Sequence, residues 1–282
     1  MNNKIGLSLD AKMTIENGKE ILDFLFNIGC TSFELDNFEQ IYTGHRLSPC
    51  YLRELKSLIN NSKLGVSLHG PHCVDFRETD EYEWHKRLFL MSLELASEIG
   101  SNVVVTHFGA RTDNPEVEKK FKEILYEMAG HARKYGVTIG LENQEIDIVQ
   151  PVIDMVKEFG HPNFKMTFDV GHAFLASNKF GFDFLGTLRQ ALPYIVHTHL
   201  HDNLGQFDNA RLLNKQKGLS ARLPLGKGDL HMPVGWGLIP YKEVMEILRP
   251  NYDGIYILEY DSGIQAKVLP EVFANTKRIL GL

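Results

Sequence analysis

The chain has 282 residues, 43% of them apolar and 23% charged, with a net charge of −6. That is enough for one large barrel or two smaller domains, and the acidity disfavours non-specific binding to nucleic acid, which draws its affinity from lysine and arginine. Cys30, Cys50 and Cys73 are scattered without a CxxC spacing, so neither a disulfide framework nor a thiolate zinc cluster is expected, and a reducing cytoplasm is the expected compartment. The start, MNNKIGLSLD, lacks a charged region followed by a long apolar one, and no run approaches the roughly 18 apolar residues of a membrane span.

Lys4 to Leu9 predicts a first strand, and Ile15 to Ile28, with Leu22, Leu25 and Phe26 at helical spacing, the first helix. Further strands are expected at 32–35, 65–69, 102–107, 137–142, 165–169, 194–199 and 254–259. Helical patterns fall at 51–59, 82–99, 116–135, 149–159, 182–192, 241–248 and 269–280. Strands separated by helices pair in parallel through crossovers, and eight such units in about 250 residues is the size of a closed (β/α)8 barrel. The expected fold is therefore a single-domain α/β TIM barrel spanning residues 1–282. An open doubly wound sheet is disfavoured, because GLSLDAKMT stands where a glycine-rich phosphate fingerprint would follow the first strand. Residues 202–240, rich in Gly and Pro, form one long connection after the seventh strand, and loops of that length are usually functional.

Barrel enzymes carry their chemistry at the carboxyl ends of the strands. Here the third strand ends in His69, the fourth in His107, the fifth in Glu142, the sixth in Asp169, the seventh in His199 and the eighth in Glu259. The stretch KMTFDVGH adds His172, brought beside Asp169 by a turn at Gly171; taken alone, such an aspartate is a helix cap or turn former. The long loop adds Asp229 and His231, two residues apart and able to point the same way. These imidazoles and carboxylates, without thiolate, suit Zn²⁺, Mn²⁺, Co²⁺ or Fe²⁺. Left unpaired at a barrel mouth, each would cost several kcal/mol of desolvation, which a cation relieves. His197 and His201 compete with His199, since all three share a strand face. His72, beside His69, is expected to support a ligand from behind or to face substrate; Arg222 and Lys227 are candidates to hold hydroxyls or a phosphate, or else solvated loop charges; and Phe108, Phe174 and Trp236 either line the pocket or belong to the core.

LHGP, THFG, LEN, FDVGH, HLHD, D-x-H-x-P-x-G-x-G and LEY, in this order and spacing, resemble the xylose isomerase-like TIM barrels, a superfamily of sugar isomerases and epimerases that also holds endonuclease IV. The resemblance covers essentially the whole chain. In the sugar epimerases it implies one ion held by Glu142, Asp169, His199 and Glu259, with the two glutamates as the acid/base pair. In endonuclease IV it implies three zinc ions on His69, His107, Glu142, Asp169, His172, His199, Asp229, His231 and Glu259. GLSLDAK replaces the G-A-H-V-S-type start of that nuclease, His72 stands in place of its tyrosine, and DVGH in place of its D-T-C-H. Against the epimerases, Ile148 stands where they carry a substrate-contacting glutamate.

The resemblance thus implies a Zn²⁺- or Mn²⁺-dependent isomerase or epimerase of a small sugar or sugar phosphate, with one to three ions and proton transfer through a metal-stabilised enediolate. The alternative is a zinc phosphodiesterase acting on abasic DNA, and a third reading is a catalytically silent metal- or sugar-binding barrel. The expected partner is a small-molecule sugar; a membrane is not expected, and a homo-oligomer is left open.

Overall fold

Eight short parallel strands, each bonded to its two neighbours, close into a barrel in chain order: β1 Lys4–Leu9, β2 Ser32–Leu35, β3 Gly65–His69, β4 Val103–His107, β5 Thr138–Glu142, β6 Phe164–Asp169, β7 Ile195–Leu200 and β8 Ile255–Leu258. The structure, a computed structural model, describes residues 4–9, 15–36, 47–213, 222–261 and 266–282. Nine α-helices stand among these described residues: α1 Ile15–Asn27, α2 Pro49–Ser62, α3 Tyr82–Ile99, α4 Pro115–Tyr135, α5 Gln150–Phe159, α6 Val170–Phe180, α7 Phe184–Ala191, α8 Tyr241–Leu248 and α9 Leu269–Leu280. No helix among the described residues is long and apolar enough to cross a membrane.

The helices form where periodicity and end signals agree. In α4 the Asn114 side chain accepts the Glu116 and Val117 N–H groups, Pro115 occupies the first turn, and Gly136 closes the helix in the left-handed conformation. Its Phe121, Ile124, Leu125 and Met128 are buried against the barrel, each worth about 1.5–3 kcal/mol of burial. Helix α2 begins at Pro49 because Ser48 caps it, accepting from Tyr51 N–H at 3.2 Å; that cap explains its extension beyond the expected 51–59.

Beyond small shifts at element ends, which leave Glu259 just past β8, two further elements differ from expectation. Strand β7 runs on to Leu200, which makes His199 its penultimate residue, and its register with β6 slips between Met166↔Ile195 and Thr167↔His197. This accommodates Val196 in a bulge, after which alternate residues face the axis. The second difference is α6, which starts directly after β6 where a turn was expected. Asp169 caps it, accepting the His172 N–H at 2.6 Å. Gly171 is therefore helical, and its small size serves close packing: a Cβ there would lie 2.0 Å from Cε1 of His201.

The register of the barrel sets up the mouth. His107 of β4 lies opposite Glu142 of β5, and Asp169 of β6 lies opposite His199 of β7. Strand ends thus bring ligand-type side chains into one layer, above a barrel interior that holds the buried Glu34, Ser67, Thr167 and His197.

Candidate active site

Four side chains converge first. Ligand atoms of Glu142, Asp169, His199 and Glu259 all lie within 4.8 Å of one another. Nδ1 of His199 is 3.0 Å from Oε1 of Glu142, 3.3 Å from Oε1 of Glu259 and 3.9 Å from Oδ2 of Asp169. Its other nitrogen is held from below, where Nε2–H donates to Oε1 of Glu34 at 2.9 Å. Glu34, on β2, is fully buried and also accepts from Ser67 Oγ at 3.0 Å. A carboxylate on one nitrogen fixes the ring and leaves the other for a cation.

The same arrangement recurs in three more imidazoles. Nδ1–H donates to a backbone carbonyl in His69 (Gly70, 2.7 Å), His172 (Asn143, 3.1 Å) and His231 (Glu259, 2.8 Å). Each Nε2 then faces a carboxylate: Glu142 Oε2 at 3.5 Å from His69, and Asp229 Oδ2 at 3.1 Å from His172 and 2.7 Å from His231. His107 Nε2 approaches Glu142 Oε2 at 3.3 Å. That oxygen is buried and has no hydrogen-bond partner among the described residues. An unsatisfied carboxylate oxygen amid converging imidazole and carboxylate donors is the environment a divalent cation satisfies, and the donor set fits Zn²⁺ or Mn²⁺.

Electrostatics separate the two glutamates. Burial works against the charge on Glu142, but His199 and His69 beside it hold its carboxyl well below the usual range. Burial pushes Glu259 up, against the pull of His199 and with Glu142 adding to the rise.

Two flanking groups complete the mouth. His69, His72 and His107 offer ligand atoms within 4.8 Å of one another; the first two rings stack at 4.4 Å, and His72 Nε2 is 2.8 Å from Oδ1 of Asp36. The other group is His172, His201, Asp229 and His231. His201 lies flat on His231, centroids 4.1 Å apart, and reaches Asp169 through Nε2 at 3.2 Å. Asp229 and His231 do converge, but through a left-handed residue, since His231 has φ 45°, and not through a simple extended segment. An antiparallel bridge, Asp202↔Met232, ties their loop to the barrel, and the buried Asp202 carboxylate accepts N–H groups of Asn203, Gly235 and Ile239.

A cavity of about 340 Å³ opens above these groups. His72 and Arg222 line it, and Arg222 Nη1 donates to the Asp229 carbonyl at 2.6 Å. Lys227 is exposed and Trp236 is 62% exposed; neither lines the cavity. Phe108 is buried beneath Arg77, and Phe174 packs on Phe184, so these two aromatics belong to packing as well. Three residues stand out that sequence reasoning did not place at the site. Glu34 holds His199; an acid inside the otherwise uncharged SFEL strand was its signal. Arg211 lines the cavity and donates to Glu145 Oε1 at 2.7 Å, and Glu145 is itself 3% exposed. Neither of that pair had a signal short of the loop's path.

The family described as xylose isomerase-like TIM barrel matches residues 22–277. The uncharacterized protein MJ1311 of Methanocaldococcus jannaschii is 28% identical over 247 residues, covering 79% of this chain and 74% of the relative. Among solved structures, a D-tagatose 3-epimerase-like protein superposes with a TM-score of 0.73 at 21% identity, covering 99% of this chain and 98% of that one. The 3-keto-D-glucoside 4-epimerase YcjR from E. coli superposes with a TM-score of 0.70 at 18% identity, covering 98% and 100%. At these identities the structural likeness is one of fold.

Proposed function

Because the chain belongs to the xylose isomerase-like TIM barrel family, we propose that it is a divalent-metal-dependent isomerase or epimerase of a small sugar or sugar derivative. The observation that carries this reading is the convergence of Glu142, Asp169, His199 and Glu259 within 4.8 Å, with Glu142 and Glu259 lining a cavity of about 340 Å³. Two solved relatives of the same fold, named for sugar epimerisation, support it.

A divalent ion bound by these four residues supplies the Lewis acidity that makes a hydrogen beside a sugar carbonyl removable. The chain's own residues do the rest. Glu142 ends β5 and Glu259 directly follows β8; one removes the carbon-bound proton and the other returns it. Asp169 and His199 serve as donors, and Glu34 keeps the His199 ring in place. His72 and Arg222 contact the substrate from the cavity wall.

The test is solvent exchange. Protein loaded with Mn²⁺ and incubated with ketoses in D₂O is expected to place deuterium on the carbon beside the carbonyl, and Glu259→Gln is expected to abolish this while unfolding at the same temperature. Substantial residual exchange in that variant would remove Glu259 from the mechanism; tight sugar binding without exchange in the native protein would make the barrel a silent binder.

Phosphodiester hydrolysis is the second reading. It is favoured by the two further donor groups, His69 with His107 against Glu142 and His172 with Asp229 and His231, which would let several ions share the mouth. It predicts cleavage of an abasic-site oligonucleotide that is lost in His69→Ala and His231→Ala. The net charge of −6 opposes the approach of a polyanion.

A further inference from the structure

We infer that the substrate of this site carries a phosphate monoester, held by the guanidinium groups of Arg211 and Arg222. The inference rests on the isomerase reading and adds the class of substrate. Both arginines line the cavity above the strand-end carboxylates, and they are the only lysine or arginine side chains among the described residues that do so.

Each is fastened at one point and left with donors to spare. Arg211 gives its Nε–H to Glu145 at 2.7 Å, and Arg222 gives Nη1–H to the backbone oxygen of Asp229 at 2.6 Å. The anchors flank a single ring: His172 Nε2 lies 3.1 Å from Oδ2 of Asp229 and 3.9 Å from Oε2 of Glu145. The same ring's Nδ1 is 3.6 Å from Oε1 of Glu142 and 3.5 Å from Oδ2 of Asp169. His172 therefore joins the arginine wall to the four-residue group, and a ligand seated on that group has its far end toward the arginines.

Charge balance separates the two. Arg211 has Glu145 as counter-ion. Arg222 has no carboxylate partner among the described residues, and its buried Nε has no hydrogen-bond partner among them either. A half-buried guanidinium bonded only to a carbonyl has unused fork donors, and planar forks of this kind match phosphate oxygens. A phosphate monoester brings close to two negative charges and three acceptor oxygens, enough for two forks at once, where a carboxylate brings one charge and two oxygens. A cavity of about 340 Å³ has room for a small ester.

Calorimetric titration of the metal-loaded full chain tests this, with D-ribulose 5-phosphate, D-ribulose, inorganic phosphate and D-glucuronate as probes. The phosphate ester is expected to bind tighter than its parent sugar by on the order of ten- to a hundred-fold, and inorganic phosphate to compete with it. Arg222→Gln and Arg211→Gln are expected to bring that ratio toward one while elemental analysis shows the metal retained. Should a Gln variant lose metal, Arg222→Lys and Arg211→Lys decide: a point charge without the fork should retain metal and lower the ratio part-way. A native ratio near one, including no binding by either sugar, overturns the inference. So does a ratio unchanged in every variant, which would place the phosphate on the ions, or a larger arginine-dependent advantage for glucuronate. Deuterium exchange is read separately. An arginine-dependent phosphate advantage without exchange upholds the anion site and fails the isomerase reading; exchange on free sugars without a phosphate advantage fails the anion site alone.

Discussion

The strand-end group and the wall that faces it use the same residue types but are held by different means. Glu142, Asp169 and His199 sit in the hydrogen-bonded register of three neighbouring strands, and Glu34 and Ser67 buttress them from within the barrel. Asp229, His231 and Arg222 sit on one long connection, tied down by the Asp202↔Met232 bridge and the Asp202 carboxylate, with His231 in a left-handed conformation. On the proposed function, the donors that would hold an ion are on strands or at their ends, and those that would choose a substrate are on a loop, the division of labour that barrels allow.

The comparison breaks most visibly at the proposed acid/base pair. Glu142→Gln is expected to lower kcat by about 10²–10⁴-fold with little change in thermal unfolding; a loss under tenfold in steady-state assays would take Glu142 out of the proton path. Next comes the buttress. Glu34→Gln keeps shape but weakens the hold on His199, and metal affinity by competition with a chromogenic chelator should fall about 10- to 100-fold. On the loop side, Asp202→Asn should spare metal affinity and raise KM, since it loosens only the connection bearing Asp229, His231 and Arg222; equal losses at both sites would mean the two regions are one unit.

Packing gives a smaller effect of the same sense. Gly171→Ala, with its Cβ 2.0 Å from the His201 ring, should cost about 1–3 kcal/mol in chemical denaturation, whereas Gly130→Ala in α4, which meets nothing within 4 Å, should be neutral or slightly stabilising. The smallest effect lies outside both regions. Arg77, stacked 3.5 Å from the Phe121 ring, pairs with Glu118 at 2.7 Å and ties the loop after β3 to α4. Burial opposes the Glu118 charge, but Arg77 holds its carboxyl below the ordinary 4.5. Its contribution is therefore full above that ordinary value and lost as pH falls through the lower folded one, and Glu118→Gln should flatten this part of the acid limb by less than about 1 kcal/mol.

What could be read in advance follows the same division. A strand has a period of two and a defined end, so HTHLH or GLE states which side chain meets the axis, and His69, His107, Glu142 and Asp169 stand at the ends of their strands as expected. Helix α6 was hidden because Asp-Val-Gly-His reads locally as a turn. Asp169 is both the helix cap and a member of the strand-end group, so the ordinary reading and the chemical one hold together. Side-chain type misleads where the chain's path is free: Lys227 and Trp236 have the chemistry of a pocket wall but point to solvent, while Arg211, unremarkable in NARLL, is brought back to Glu145 by the loop.

Elemental analysis of protein purified without chelator or histidine tag tests the central claim most directly, on the native chain, His199→Ala and His69→Ala. About one divalent ion per chain, lost in His199→Ala and retained in His69→Ala, is the predicted result. A chain without metal, or one that keeps its full complement after His199→Ala, would contradict an ion seated on the strand-end group.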